Sequence, residues 1–312
     1  MAEFGSRQGG RIRPFMVLSY KGRGQVPLII SELLRTALLP TLCALAVGFL
    51  GGGLMGKSHR VKDIWMGLAL AAGFSAGFLA IVGMVPFPAV QVTHWLLWFA
   101  LGTWLVFAIL GMAPSGAARW GGFLVFVLVA LLLLKPFFDR WSTGQIVAYT
   151  SGISGYMFLL YLAIPKGTAL RKSGPVFWIF IVAATGASMV HVLDGGALSG
   201  QLGGVLAAAC GGLFLASCFG QGLQSGLVCS GVFVALFGST LVHGHLYVEV
   251  FLIAILLVAL APFAVLWYRV PLFSQMAAWK RWVVSLVTAM IPVAIAIAWL
   301  ISRVSEDPYG GY

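Results

Sequence analysis

Ten apolar runs separated by short polar stretches make up most of this chain. They fall at 37–56, 64–85, 94–113, 120–136, 146–164, 174–193, 198–218, 223–242, 248–268 and 283–302. A helix needs about 20 apolar residues to cross a bilayer, so each run is at or near spanning length. The fourth is the shortest and predicts a tilted or partly enclosed helix. The pattern predicts an all-α polytopic membrane protein of about ten spans. A fivefold-plus-fivefold duplication would fit the count, but no self-similarity supports it.

Composition strengthens this reading. The chain is 61% hydrophobic and 9% charged, with a mean hydropathy of +1.01, where a soluble domain carries roughly a quarter charged residues. The net charge of +11 does not predict a nucleic-acid partner. Most Lys and Arg sit in short loops, where they set topology and meet anionic lipid, so the lipid bilayer is the implied partner. Cys43, Cys210, Cys218 and Cys229 lie inside apolar runs without a CxxC pair, which predicts packing and neither zinc nor a disulfide. The first run begins near Ala37, too deep for a secretory signal.

Loop charge predicts orientation. Loops after odd spans hold Lys57, Arg60, Lys62, Arg119, Lys166, Arg171, Lys172, Arg269, Lys280 and Arg281; loops after even spans, with the tail at 303–312, hold Lys135, Arg140 and Arg303. The odd loops are therefore expected in the cytoplasm, of an inner (plasma) membrane. The basic arm at 1–36 disagrees, since Arg7, Arg11, Arg13, Lys21, Arg23 and Arg35 would then lie outside. A re-entrant or interfacial first run, bent at Gly51-Gly52-Gly53, would remove the conflict. Both alternatives stay open for 37–63. Whichever end is cytoplasmic, His94, His191, His243 and His245 share one end with Asp139, Asp194 and Glu249. Ser154 and Gln201 open spans at that same end.

Two of those openings carry motifs. Gly152-Ile153-Ser154-Gly155 heads the fifth run, and Gln201-Leu202-Gly203-Gly204, followed by Ala208, heads the seventh. With His94 at the head of the third, these residues resemble the rhomboid superfamily of intramembrane serine proteases. The resemblance covers 64–218 and implies a six-span core, preceded by one segment and followed by three further spans at 219–302. It implies Ser154 at the nucleophile position, Gln201 at the base position and His94 at the oxyanion position. Gly152, Gly155, Gly204 and Ala208 would set close helix approach. Gln201 replaces the family's histidine and Trp98 replaces its asparagine. The loop 86–91 is also shorter than the family's membrane-lying loop. A hydroxyl is a poor nucleophile until a base takes its proton, and an amide cannot do so. The resemblance therefore implies a pseudoprotease that binds transmembrane client proteins. An active protease with a non-standard base and a membrane transporter are the alternatives. Against transport, every ionisable residue lies near a span end, whereas coupled carriers keep one near the midplane.

Further groupings bear on chemistry. His191 is the alternative base, with Asp194 three residues on to orient its ring. His243, His245 and Glu249 form a candidate metal set, provided the ninth span is already helical at Glu249. Haem would need histidines facing each other within the bilayer, so no cofactor is implied. Trp279-Lys280-Arg281-Trp282 reads as an interfacial anchor. Homo-oligomerisation is left open.

Overall fold

The computed structural model of the protein describes residues 31–55, 58–164, 174–219, 226–270, 273 and 275–306. The expected basic arm at 1–30, most of the tail, and Lys57, Lys166, Arg171 and Lys172 lie outside the described residues. Among the described residues ten helices are long and apolar enough to cross a membrane. They are α1 (Ser31–Gly52), α2 (His59–Val82), α3 (Val92–Leu110), α4 (Gly116–Phe137) and α5 (Thr143–Ala163), then α6 (Val176–Leu193), α7 (Ala197–Phe219), α8 (Leu227–Tyr247), α9 (Leu252–Arg269) and α10 (Trp279–Arg303). Among the described residues there is no strand. The chain is an all-α, multi-pass membrane protein, and each apolar run became one helix.

The first run crosses as a helix and does not re-enter. Glu32 at its start meets Gln201 near the start of α7. Further along, the Thr41 hydroxyl donates to the Ala208 carbonyl at 3.0 Å, and Gly48 lies against Ala216. The two helices therefore run parallel, and α1 starts at the histidine-bearing end. Arg35 then stands at the histidine end, and the re-entrant alternative that would have removed the conflict in loop charge is gone. One end of the bundle is thus the histidine end and the other the basic-loop end.

The centre of the bundle is α8. Of its most apolar stretch 89% is buried, against 17–56% for the other nine. No charge interrupts Leu227–Tyr247, and its polar side chains Ser230, Ser239, Thr240 and His243 are all buried. The resemblance had made this helix the first of three spans added outside a six-span core. It stands instead inside one continuous core with α2, α3, α4, α5, α6 and α7 around it.

Small residues set the closest helix contacts. A Cβ on Gly203 of α7 would meet the Ser188 backbone of α6 at 2.9 Å, and one on Gly73 of α2 would come within 2.8 Å of both Ala44 and the Pro40 carbonyl of α1. Backbones approach this closely only where side chains are absent. A turn with Gly195 at φ +87° joins α6 to α7, in the left-handed region that glycine tolerates. At the basic-loop end, Asp63 of α2 reaches across to the start of α8. It accepts from the backbone N–H of Gly226 (2.9 Å), Val228 (2.8 Å) and Cys229 (3.2 Å).

At the periphery of the basic-loop end, Lys280 lies 5.6 Å from the centre of the Trp279 ring. At the histidine end Arg303 lies over Trp299 at 4.7 Å and Phe251 at 5.3 Å.

Candidate functional site

The motif residues on α5 and α7 are held apart. Ser154 is buried, and its hydroxyl donates at 2.6 Å to the Thr150 carbonyl one turn back in its own helix. That pattern is ordinary for serine within a helix. Its side chain shares the inward face of α5 with Met157 and Tyr161. This helix packs on α4, α8 and the second half of α9. The Gln201 amide instead donates to the Glu32 carboxylate at 3.3 Å. Ser154 and Gln201 thus have separate partners on separate elements.

The other predicted roles also change. Asp194 does not orient His191. The helix ends at Leu193, and the Asp194 carboxylate accepts from the Phe251 N–H at 3.0 Å. The metal set does not assemble, because residues two apart on a helix point to nearly opposite sides. His243 faces inward, while the His245 ring turns toward the α8–α9 connection and meets the Val250 carbonyl at 3.0 Å. Glu249 lies beyond the end of α8, exposed and with φ 63°. Among the described residues no three His, Cys, Asp or Glu come together. Of the structural glycines, Gly152 and Gly155 have open space where a Cβ would stand. A Cβ on Gly204 would stand 3.6 Å from the Ser188 hydroxyl, and it is its neighbours Gly200 and Gly203 that make the tightest contact with α6.

Two features emerge in their place. The first is the outward face of α5. Gly144, Ala148, Gly152 and Gly155 recur every three or four residues on one side, with Ser151 among them. Gly144, Gly152 and Gly155 have nothing within 4 Å of a Cβ position. Beside this stripe lies an apolar cavity of about 420 Å³ between α5, α8 and the first half of α9. Ala148 and Gly152 belong to both the stripe and the cavity wall. Tyr149, Tyr156, Gly238, His245 and Ile255 complete the part of the lining that matters here. Tyr156 donates to the Ala259 carbonyl at 3.0 Å, which closes the cavity toward the basic-loop end.

The second feature is a polar cluster at the histidine end. The His243 ring of α8 is bonded at both nitrogens. Nε2 pairs with the Thr93 hydroxyl of α3 and Nδ1 with the Ser199 hydroxyl of α7, each at 3.0 Å. A neutral imidazole has one donor and one acceptor nitrogen, so one hydroxyl gives its proton to the ring and the other receives the ring's. Tyr247 stacks on His243, with ring centres 5.4 Å apart, and donates to the Leu133 carbonyl of α4. His191 of α6 is fully enclosed. A Cβ on Gly244 would overlap its ring, and the Ser199 backbone is its polar neighbour, with His243 nearby. Nδ1 of His94 is buried without a hydrogen bond.

Sequence reasoning missed Thr93 and Ser199, because hydroxyls inside helices are ordinary and nothing local marks their partners. The stripe on α5 was legible as small residues at helical spacing. Compared with family models, with curated proteins and with solved structures, the chain matches none.

Proposed function

We propose that this protein binds the transmembrane helix of a client protein along the outward face of α5, without catalysing a reaction there. The observation that supports this is the open small-residue stripe lying beside the apolar cavity. Within a bilayer there is little hydrophobic gain in joining two helices, so association depends on close van der Waals packing. Exposed glycines permit that packing. A helix on the stripe could place large apolar side chains into the neighbouring cavity, as a groove accepts anchors. The rhomboid resemblance predicts the same role by another route, and Ser154, bonded within its own helix, offers no activated nucleophile. The membrane we assign is the plasma (inner) membrane. A second copy of the chain is the competing occupant.

The test is photo-cross-linking in native membranes from a benzophenone side chain at Ser151, with Leu124 on the outward face of α4 as reference. The expected outcome is a cross-link to a different polypeptide from Ser151 and lipid adducts alone from Leu124, with the protein cross-link lost in Gly152→Leu. Lipid adducts alone at both positions would reject the proposal. A cross-link to a second copy would replace the client with a homo-oligomer.

A second reading, transport, draws support from the imidazole–hydroxyl cluster. Histidines enclosed within a membrane bundle commonly mark an ion or solute path. Solute flux in proteoliposomes, compared between wild type and Ser199→Ala, tests it.

A further inference from the structure

The outer faces of α3 and α4 leave an apolar groove of about 500 Å³ between them. Its α3 wall runs from Trp95 to Val106 and its α4 wall from Val125 to Leu132. Phe87, from the loop before α3, stands at the histidine end. Trp95 to Val106 is eleven residue steps, roughly 17 Å of helix. The hydrocarbon core of a bilayer is about 30 Å thick, so the groove follows about one leaflet of it. The chain leaves it open to lipid. Leu101, Leu105 and Leu128 are exposed along it, and a Cβ on Gly102 would meet nothing within 4 Å.

One polar group is stranded in this apolar wall. Nε1 of Trp98 is buried and makes no hydrogen bond, whereas Nε1 of Trp104, further along the same wall, donates to the Ile64 carbonyl at 3.2 Å. An indole nitrogen can only donate, and a buried donor without an acceptor is rare and costly. Trp98 is the seventh residue of α3, roughly 9 Å in from the helix start. The headgroup layer takes up about 5–8 Å on each side of the bilayer, so Trp98 stands just inside its boundary with the hydrocarbon. Lipid tails bring no acceptor, and a docked helix has its carbonyls bonded internally. An ester carbonyl at the top of an acyl chain is an acceptor at the right depth. Phe87 lies edge-on against the Trp98 ring, with centres 4.9 Å apart, and is 71% exposed. Its ring therefore has room to swing aside and admit one.

Charge at the mouth selects the head group. The α4 wall ends at Leu132, and Lys135 follows three residues on, along the same side of the helix. Past it the loop to α5 holds Asp139 and Arg140, and all three charges are exposed. The loop at 83–91 holds no charged residue. The mouth is therefore net positive, which favours an anionic head group. We infer that the groove between α3 and α4 binds one anionic glycerophospholipid from the leaflet at the histidine end. An acyl chain lies along Trp95 to Val106, an ester carbonyl accepts from Nε1 of Trp98, and the phosphate faces Lys135. The site is independent of helix docking on α5.

The experiment adds palmitoyl-oleoyl phosphatidylglycerol, or phosphatidylcholine with the same chains, to the purified full-length protein stripped of lipid in detergent. Native mass spectrometry counts the lipids bound. The expected result is a single phosphatidylglycerol retained at collision energies that remove all others, held about fivefold more tightly than phosphatidylcholine. Lys135→Gln should erase that preference. Trp98→Phe keeps a ring but loses the donor, and should weaken both lipids about fivefold. Gly102→Leu, which puts a side chain into the open groove, should abolish retention. Ile291→Trp, on the exposed face of α10, should change nothing. Equal loss or equal retention of the two lipids by wild type would overturn the assignment. Retention unchanged in both Trp98→Phe and Gly102→Leu would also overturn it, leaving only the general lipid annulus.

Discussion

Removing the Asp63 carboxylate should loosen the central helix at its start. Asp63 belongs to α2, yet it serves the N-terminus of α8, where Gly226 provides no side-chain cap of its own. Three backbone N–H groups converge on its two oxygens at 2.8–3.2 Å. The fit is close enough that a Cβ on Gly226 would overlap the carboxyl group. Losing an ordinary N-cap costs about 0.5–2 kcal/mol, and each donor left unsatisfied in a buried place costs about 1–3 kcal/mol. These costs do not add fully, and the carboxylate itself is penalised by leaving water. A net loss of roughly 2–4 kcal/mol is expected for Asp63→Ala. Asp63→Asn retains an acceptor oxygen but loses the charge that favours a helix N-terminus, so it should fall between alanine and wild type. Thermal unfolding in detergent, followed by circular dichroism, reads this as a drop of roughly 5–10 °C for alanine. An alanine variant melting within a degree of wild type would contradict this expectation, as would an asparagine variant less stable than alanine. Either result would mean that the carboxylate does not hold α8.

Other outcomes follow from the same contacts. Gly244→Ala should cost about 1–3 kcal/mol by driving a methyl into the His191 ring, and combining it with His191→Ala should restore much of that loss, as a double-mutant cycle by thermal unfolding would show. Gly203→Val should destabilise more than Gly204→Val, because a Cβ at 203 meets the Ser188 backbone whereas one at 204 meets only a hydroxyl 3.6 Å away; unfolding midpoints give the order. A fluorophosphonate probe should leave no adduct on Ser154, whose hydroxyl is bonded to the Thr150 carbonyl, and intact-mass spectrometry of the labelled protein checks this.

The helices were legible because spanning a membrane imposes length and polarity on each segment separately. The enclosure of α8 was not legible in the same way, because α3, α6 and α7 are equally free of charge, and the resemblance drew attention to an earlier core. What could not be read was which helix stands beside which. Ser154 and Gln201 both open spans at one end with suitable spacing along the chain, and nothing in their neighbourhoods separates α5 from α7 in space. The same limit hid the Thr93–His243–Ser199 chain, whose members are 106 and 44 residues apart along the sequence. His243 drew attention for its proximity to His245, a neighbour in sequence that turns away in the helix. The first run posed a different difficulty. Its length allowed a span and its flanking charge opposed one, and only the parallel contacts with α7 decide between them.

The small-residue face of α5 is expected to be covered by the helix of another polypeptide. The most direct measurement is native mass spectrometry of the protein extracted from its own membrane in lipid nanodiscs. Wild type should be compared with a Gly152→Leu, Gly155→Leu double variant. Wild type is expected in a complex with a second, different polypeptide, and the double variant as a single folded chain. A single chain in both samples, or a complex that persists in the double variant, would contradict it.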